Sequence, residues 1–172
     1  MGSQPALRPS DVAIALQLAR MPGTYYKELA RSLRLGVAEV HRGVRRLELA
    51  RLAETGERRV NRQALLEFLV HGVRYVFPAV LGPEAHGVPT AAAAPALAEK
   101  LPGGPLAVWR ASDGQTRAAT LVPLYPGAPL AALEDQHLYR ALALVDVLRL
   151  GELKERRVAQ GLLDEVLTGT GG

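Results

Sequence analysis

Five arginines, Arg42, Arg45, Arg46, Arg58 and Arg59, stand close together in the chain. A guanidinium is a planar fork of donors that stays charged at any physiological pH. It fits two acceptors at once, whether phosphate oxygens or the O6/N7 pair of guanine. Upstream, Tyr25, Tyr26 and Lys27 can donate to phosphate oxygens as well. No other group of residues has comparable convergence. The histidines at 41, 71, 86 and 137 lack metal-ligand spacing, and Glu67 with His71 is a lone i, i+4 pair. There are no cysteines, so disulfides and thiolate metal sites are excluded. No Gly-rich phosphate loop, no Ser/His/Asp elbow and no outstanding carboxylate pair is present. Catalytic residues, metal ligands and cofactors are therefore not expected.

The arginines must be held by short elements. Ser10 is a good N-cap for a helix running to Arg20, with Val12, Ala15, Leu16 and Ala19 on one buried stripe. Pro22-Gly23 breaks it, and Thr24 can cap a second helix with Leu29, Ala30 and Leu33 inward. Arg34-Leu35-Gly36 forms a turn before a helix over Val37 to Leu49. Its seam, Val40, Val44 and Leu47, lies within about 60° at 100° per residue. Opposite stand Ala38, Arg42, Arg45 and, off-centre, Arg46, with Glu39 and His41 beside them. Leu52 to Glu54 and Arg58 to Val60 are expected to form two short strands around Thr55-Gly56. Asn61 caps a fourth helix, Arg62 to His71, which Gly72 stops, and Val73 to Pro78 is expected as a strand. Helix, turn, helix and basic hairpin in this order describe a helix-turn-helix with a wing, a device that lays one helix in the DNA major groove. The bland alternative is a solvated basic helix face. Charge placement fits DNA: residues 1–75 hold 13 Lys/Arg against 7 Asp/Glu, and residues 76–172 hold 8 against 10.

From Leu29 onward the chain resembles the winged helix-turn-helix of bacterial transcriptional regulators, the MarR-like and related groups. The matching residues are Leu29-Ala30, Leu33, Leu35, Val40, Arg45-Arg46-Leu47-Glu48 and Leu52. Arg34 stands where the pattern has a turn glycine, so it must accept a left-handed backbone or use another turn. Gly36 replaces the usual Ser N-cap, Arg51 replaces the glycine after the second helix, and Gly43 interrupts that helix. The resemblance covers about 50 residues and implies double-stranded DNA binding. In it, residues near the start of the second helix, Ala38, Glu39, His41 and Arg42, reach base edges. Arg45 and Arg46 suit phosphates equally, and Arg58 and Arg59 on the wing reach a backbone or the adjacent minor groove.

Beyond residue 77 the composition changes: nine of the twelve prolines lie between 78 and 129. Leu81 to Pro89 is expected as loop and Ala91 to Lys100 as a short helix. Leu106 to Ala111 and Thr116 to Val122 flank Asp113-Gly114, a strong hairpin signal. Two helices follow, about Asp135 to Leu150 and Glu152 to Leu167. The first is apolar over more than half its circumference, so Leu144, Val147 and Leu148 are expected at a homodimer interface. Within it Asp146 has Arg149 or Arg140 or a partner subunit as possible counter-ions, or stands exposed. Trp109 is expected in the core, with a small pocket beside Tyr125 as the alternative. The expected fold is α+β: a winged helix-turn-helix over 8–76, a Pro/Ala-rich connector over 77–104, and a hairpin with two helices over 105–169. The expected protein is a dimeric, cytoplasmic, non-enzymatic DNA-binding regulator with no membrane segment. The alternatives are a winged-helix protein-docking module and a regulator responsive to a small-molecule effector.

Overall fold

The structure is a computed structural model that describes residues 2 and 5–169. Its first part contains α1 (Pro9–Arg20), α2 (Tyr26–Leu33), α3 (Val37–Leu49), the ribbon β1 (Ala53–Glu54) with β2 (Arg59–Val60), and α4 (Arg62–His71). The expected helices are therefore present, as is the two-stranded ribbon. Arg8 rather than Ser10 precedes α1, and Tyr25 rather than Thr24 precedes α2. Asn61 does cap α4, accepting from the Ala64 N–H at 3.0 Å.

Both turn arginines take the conformation that glycine usually supplies. Arg34 has φ 54° and Arg51 φ 60°. Each is followed by an N–H that returns five residues: Leu35 to the Ala30 carbonyl and Leu52 to the Leu47 carbonyl, both at 2.9 Å. These closures satisfy carbonyls at the ends of α2 and α3. A left-handed backbone at a residue with a Cβ costs on the order of 1 kcal/mol, which the closures offset.

The remainder departs from expectation in several places. Residues 73–76 form a short helix, α5 (Val73–Val76), because Gly72 keeps a helical ψ and the chain turns straight on from α4. The stretch expected as loop is the longest strand, β3 (Leu81–Ala91). Ala91 to Lys100 forms successive turns instead of a helix, since Ala91 is left-handed at φ 53° and Pro95 cannot donate a backbone hydrogen bond. β4 (Leu106–Arg110) and β5 (Thr116–Leu121) exist but are not a hairpin. Each pairs antiparallel with β3, β4 along Gly87 to Ala91 and β5 along Leu81 to Gly87. They touch each other in parallel at Ala107 with Ala119 and Val108 with Thr120, closing a three-stranded barrel. Gly87 is the pivot, because a Cβ there would stand 2.2 Å from the Trp109 carbonyl oxygen. Pro83 sits at the register shift between Gly82 and Glu84, where its missing N–H breaks no ladder bond.

Three helices complete the chain: α6 (Ala128–Glu134), which the sequence reading missed, α7 (Gln136–Leu150) and α8 (Leu153–Thr168). α7 is the hub, packed against α1, α4, α5, α6, α8 and β3. Leu144, Val147 and Leu148 are each 0% exposed within one chain. The dimer surface expected there is thus corrected: neighbouring elements of the same chain cover that face. Asp146 is buried too, accepting from Thr90 Oγ1 at 2.7 Å, Trp109 Nε1 at 2.9 Å and Arg149 Nη1 at 2.8 Å. Burial pushes its carboxyl up from the usual range, and these three donors oppose that push. Trp109 is a core residue, with Tyr139 as its aromatic neighbour at 5.9 Å between centroids.

One apolar cluster runs from Val12 to Leu167, so the first part and the barrel share a core. Asp135 fastens them. Its carboxylate caps α7 by accepting from the His137 and Leu138 N–H groups and also holds Arg20 of α1 at 2.9 Å. Burial works against that charge, but Leu138, Gln17 and Arg20 outweigh it and hold the carboxyl below its usual value. Among the described residues, no helix is long and apolar enough to cross a membrane.

Candidate nucleic-acid interface

Because α3 buries Val40, Gly43, Val44 and Leu47, its opposite side is left to solvent. Ala38, His41, Arg42, Arg45 and Leu49 are exposed there. Ala38, Arg42, Arg45 and Leu49 follow one another by four, three and four residues and form a single stripe, with His41 beside it. Two structures border this stripe, one on each side.

On one side lie the start of α2 and the ribbon. The Tyr26 and His41 rings stack with centroids 3.6 Å apart and planes at 28°. The Arg58 guanidinium carbon lies 5.4 Å from the centroids of both Tyr25 and Tyr26. Arg58 also donates to the Gly23 carbonyl at 3.1 Å, and the Gly23 N–H donates back to the Arg58 carbonyl at 3.0 Å. The ribbon tip is held to α3 by Glu48, whose Oε1 accepts from the Gly56 N–H at 2.9 Å. The other Glu48 oxygen accepts from Arg45 at 3.1 Å.

On the other side lies the start of α1. Arg46 donates to both Asp11 oxygens, at 2.7 and 2.8 Å, and the Asp11 side chain is only 1% exposed. Ser10 Oγ donates to Glu39 at 3.1 Å. α1 and α3 meet closely at Gly43, where a Cβ would stand 2.4 Å from Ile14 Cδ1 and 2.8 Å from Asp11 Oδ1. The glycine that looked out of place in a helix is what permits that crossing.

The expected contact residues therefore separate into two sets. Tyr25, Lys27, Ala38, His41, Arg42, Arg45 and Arg59 present exposed side chains. Among the described residues, Arg42, Arg59 and Lys27 have no carboxylate partner. Arg46 and Glu39 are turned towards α1, and Arg58 towards the tyrosines and Gly23, so these three shape the surface more than they extend from it. Tyr26 is half-buried beneath His41. Helical spacing separates Arg42 from the seam, whereas Asp11, which claims Arg46, lies far upstream in the sequence.

Two features escaped the sequence reading. Residues 5–8 run beside α3, and Arg8 lines an open groove of about 610 Å³ with His41, Arg42 and Arg45. Arg8 lies outside the helix-turn-helix spacing, so no motif pointed to it. The turn after α2 is also braced from the far part of the chain: Arg34 pairs with Glu134 of α6, and Gly127 packs against the Arg34 carbonyl. Tyr125 lies in the same brace, its hydroxyl buried without a partner among the described residues and pushed up by burial and the nearby Glu39 charge. No His, Asp or Glu cluster among the described residues could hold a metal ion. Compared with known proteins, the chain matches no family model, no curated protein and no solved structure.

Proposed function

We propose that α2, α3 and the β1–β2 ribbon act as a winged helix-turn-helix that binds double-stranded DNA, in the manner of a transcriptional regulator. The observation that carries this reading is the α3 stripe. Arg42 and Arg45 project from a helix whose far side is locked in the core, and a basic ribbon stands at its flank with Arg58 against Tyr25 and Tyr26 at the start of α2. A rigid helix with forked donors on its free face suits base edges in a major groove, and Lys27, Tyr25 and Arg59 suit phosphates. A single such unit covers a small DNA surface. Two copies on a two-fold site would raise affinity, through a surface other than Leu144, Val147 and Leu148.

The test is equilibrium binding to a random duplex pool, followed by selection of a preferred site. If about six phosphates are contacted, affinity falls by roughly 10³-fold between 50 and 200 mM salt. Absence of duplex binding at low salt would refute the reading.

A second reading, a module that docks a protein partner, is favoured by one observation. Val80 and Val122 are 72% and 74% exposed and border an apolar groove with Val76 and Leu124. Loss of duplex binding in the test would promote it.

A further inference from the structure

We propose that the groove between residues 5–8 and α3 holds a backbone phosphate of duplex DNA, making this N-terminal arm a third contact element beside the helix and the ribbon. The inference rests on the DNA reading above and adds a site to it.

The arm is built into the fold. Leu7 packs against the core and, with Ala50, Leu52, Ala64 and Phe68, borders the hollow between α3 and α4. The next residue is fixed through its backbone: the Arg8 N–H donates to Asp11 Oδ2 at 2.8 Å. That leaves the Arg8 side chain on the groove, where it has no carboxylate partner among the described residues. Arg42 in the same wall has none either. Asp11, beside Arg46 of this wall, is enclosed and already answered by that guanidinium. The groove therefore carries uncompensated positive charge from Arg8 and Arg42, with Arg45 only partly answered by Glu48. Uncompensated guanidinium forks converging on a solvent-open trough are complementary to a phosphate.

Its openness and place select the source of that phosphate. The trough lies along the exposed stripe of α3 rather than in a closed cavity, so a continuing strand can pass through it. Arm and ribbon also flank α3 on opposite sides. The arm adjoins the edge at Arg46, where α1 packs, and the ribbon tip adjoins the edge at Glu48. α1 has 12 residues, a length of about 18 Å, and the arm joins its start while the ribbon meets the chain just past its end. A major groove is about 12 Å wide. A helix seated in it would leave flanks spaced more widely than the groove, as contact with both bordering backbones requires.

The experiment compares the unmodified full chain with Arg8→Gln and Arg8→Lys on the same duplex across a salt series. Loss of one phosphate contact lowers the slope of log affinity against log salt by about 0.9, which is about an eightfold weakening at 0.1 M salt. Arg8→Gln is expected to show both effects equally on preferred and random duplexes, and Arg8→Lys to recover most of the affinity. Unaltered thermal midpoints exclude a folding effect, since no hydrogen bond of the fold uses the Arg8 guanidinium among the described residues. An unchanged slope and affinity in Arg8→Gln would overturn the proposal. So would tighter binding, which would make the arm a cover over α3. Displacement of duplex by millimolar inorganic phosphate from the unmodified protein, but not from Arg8→Gln, would reassign the groove to a free anion. If the unmodified protein binds no duplex, the DNA reading fails first and this site falls with it.

Discussion

Arg42, Arg45 and Arg46 stand within five residues, yet the structure gives them different work. Arg42 on the exposed stripe has no carboxylate partner among the described residues, Arg45 leans on Glu48, and Arg46 neutralises the buried Asp11. Their substitutions should separate accordingly. Arg42→Ala is expected to leave stability unchanged while costing about 1–3 kcal/mol on the preferred duplex and relaxing base preference. Arg46→Ala strands an enclosed carboxylate and should lower folding stability by about 3 kcal/mol or more. Chemical denaturation and duplex binding, measured on both variants, read the two effects apart. Equal stability losses would mean that Asp11 is hydrated rather than enclosed.

At the level of elements, the placement of α3 depends on how closely α1 can cross it. Helix propensity alone predicts that Gly43→Ala stabilises by roughly 1 kcal/mol. The crossing predicts the reverse, because the added Cβ would meet Ile14 and the Asp11 carboxylate, both fully packed. Overpacking of this kind typically costs about 1–3 kcal/mol, so the net effect is expected to be destabilising. A raised thermal midpoint for Gly43→Ala would show that α1 can shift away. The ribbon shows the same dependence on neighbours. Two strands of two residues each have little stability alone, and Glu48, Gly23 and Arg58 hold them against α3 and the start of α2.

Across the whole molecule, Asp146 joins parts of the chain that lie far apart in sequence. Its carboxylate gathers Thr90 of β3, Trp109 of β4 and Arg149 of α7, and Arg149 in turn donates to the Phe77 carbonyl at 2.8 Å. The barrel is thereby fastened to the central helix and to the chain leaving α5. Asp146→Asn keeps an acceptor for two of these donors but leaves the Arg149 guanidinium, 6% exposed, without a counter-charge. A loss of about 3–5 kcal/mol in folding stability is expected, read by denaturant unfolding. A loss below 1 kcal/mol would mean that Arg149 finds its charge balance elsewhere.

Local pattern was enough for the elements of residues 9–71. Periodic Val40, Val44 and Leu47 determined which side of α3 is buried and Asn61 the start of α4; the turn left Arg34 either a left-handed backbone or another turn, and the fold takes the first. These features depend on residues within a turn or two of each other, so spacing and side-chain shape suffice. Everything that required a distant partner was decided by the tertiary structure. Asp113-Gly114 specified a turn, but β3 supplied the partner for both flanking strands, and its Gly82, Pro83, Gly87 and Pro89 had disguised it as loop. The apolar breadth of α7 was legible, whereas its cover was not: neighbouring elements of the same chain enclose the Leu144, Val147 and Leu148 side. Hydrophobic pattern records how much of a helix is buried, and only packing determines what buries it.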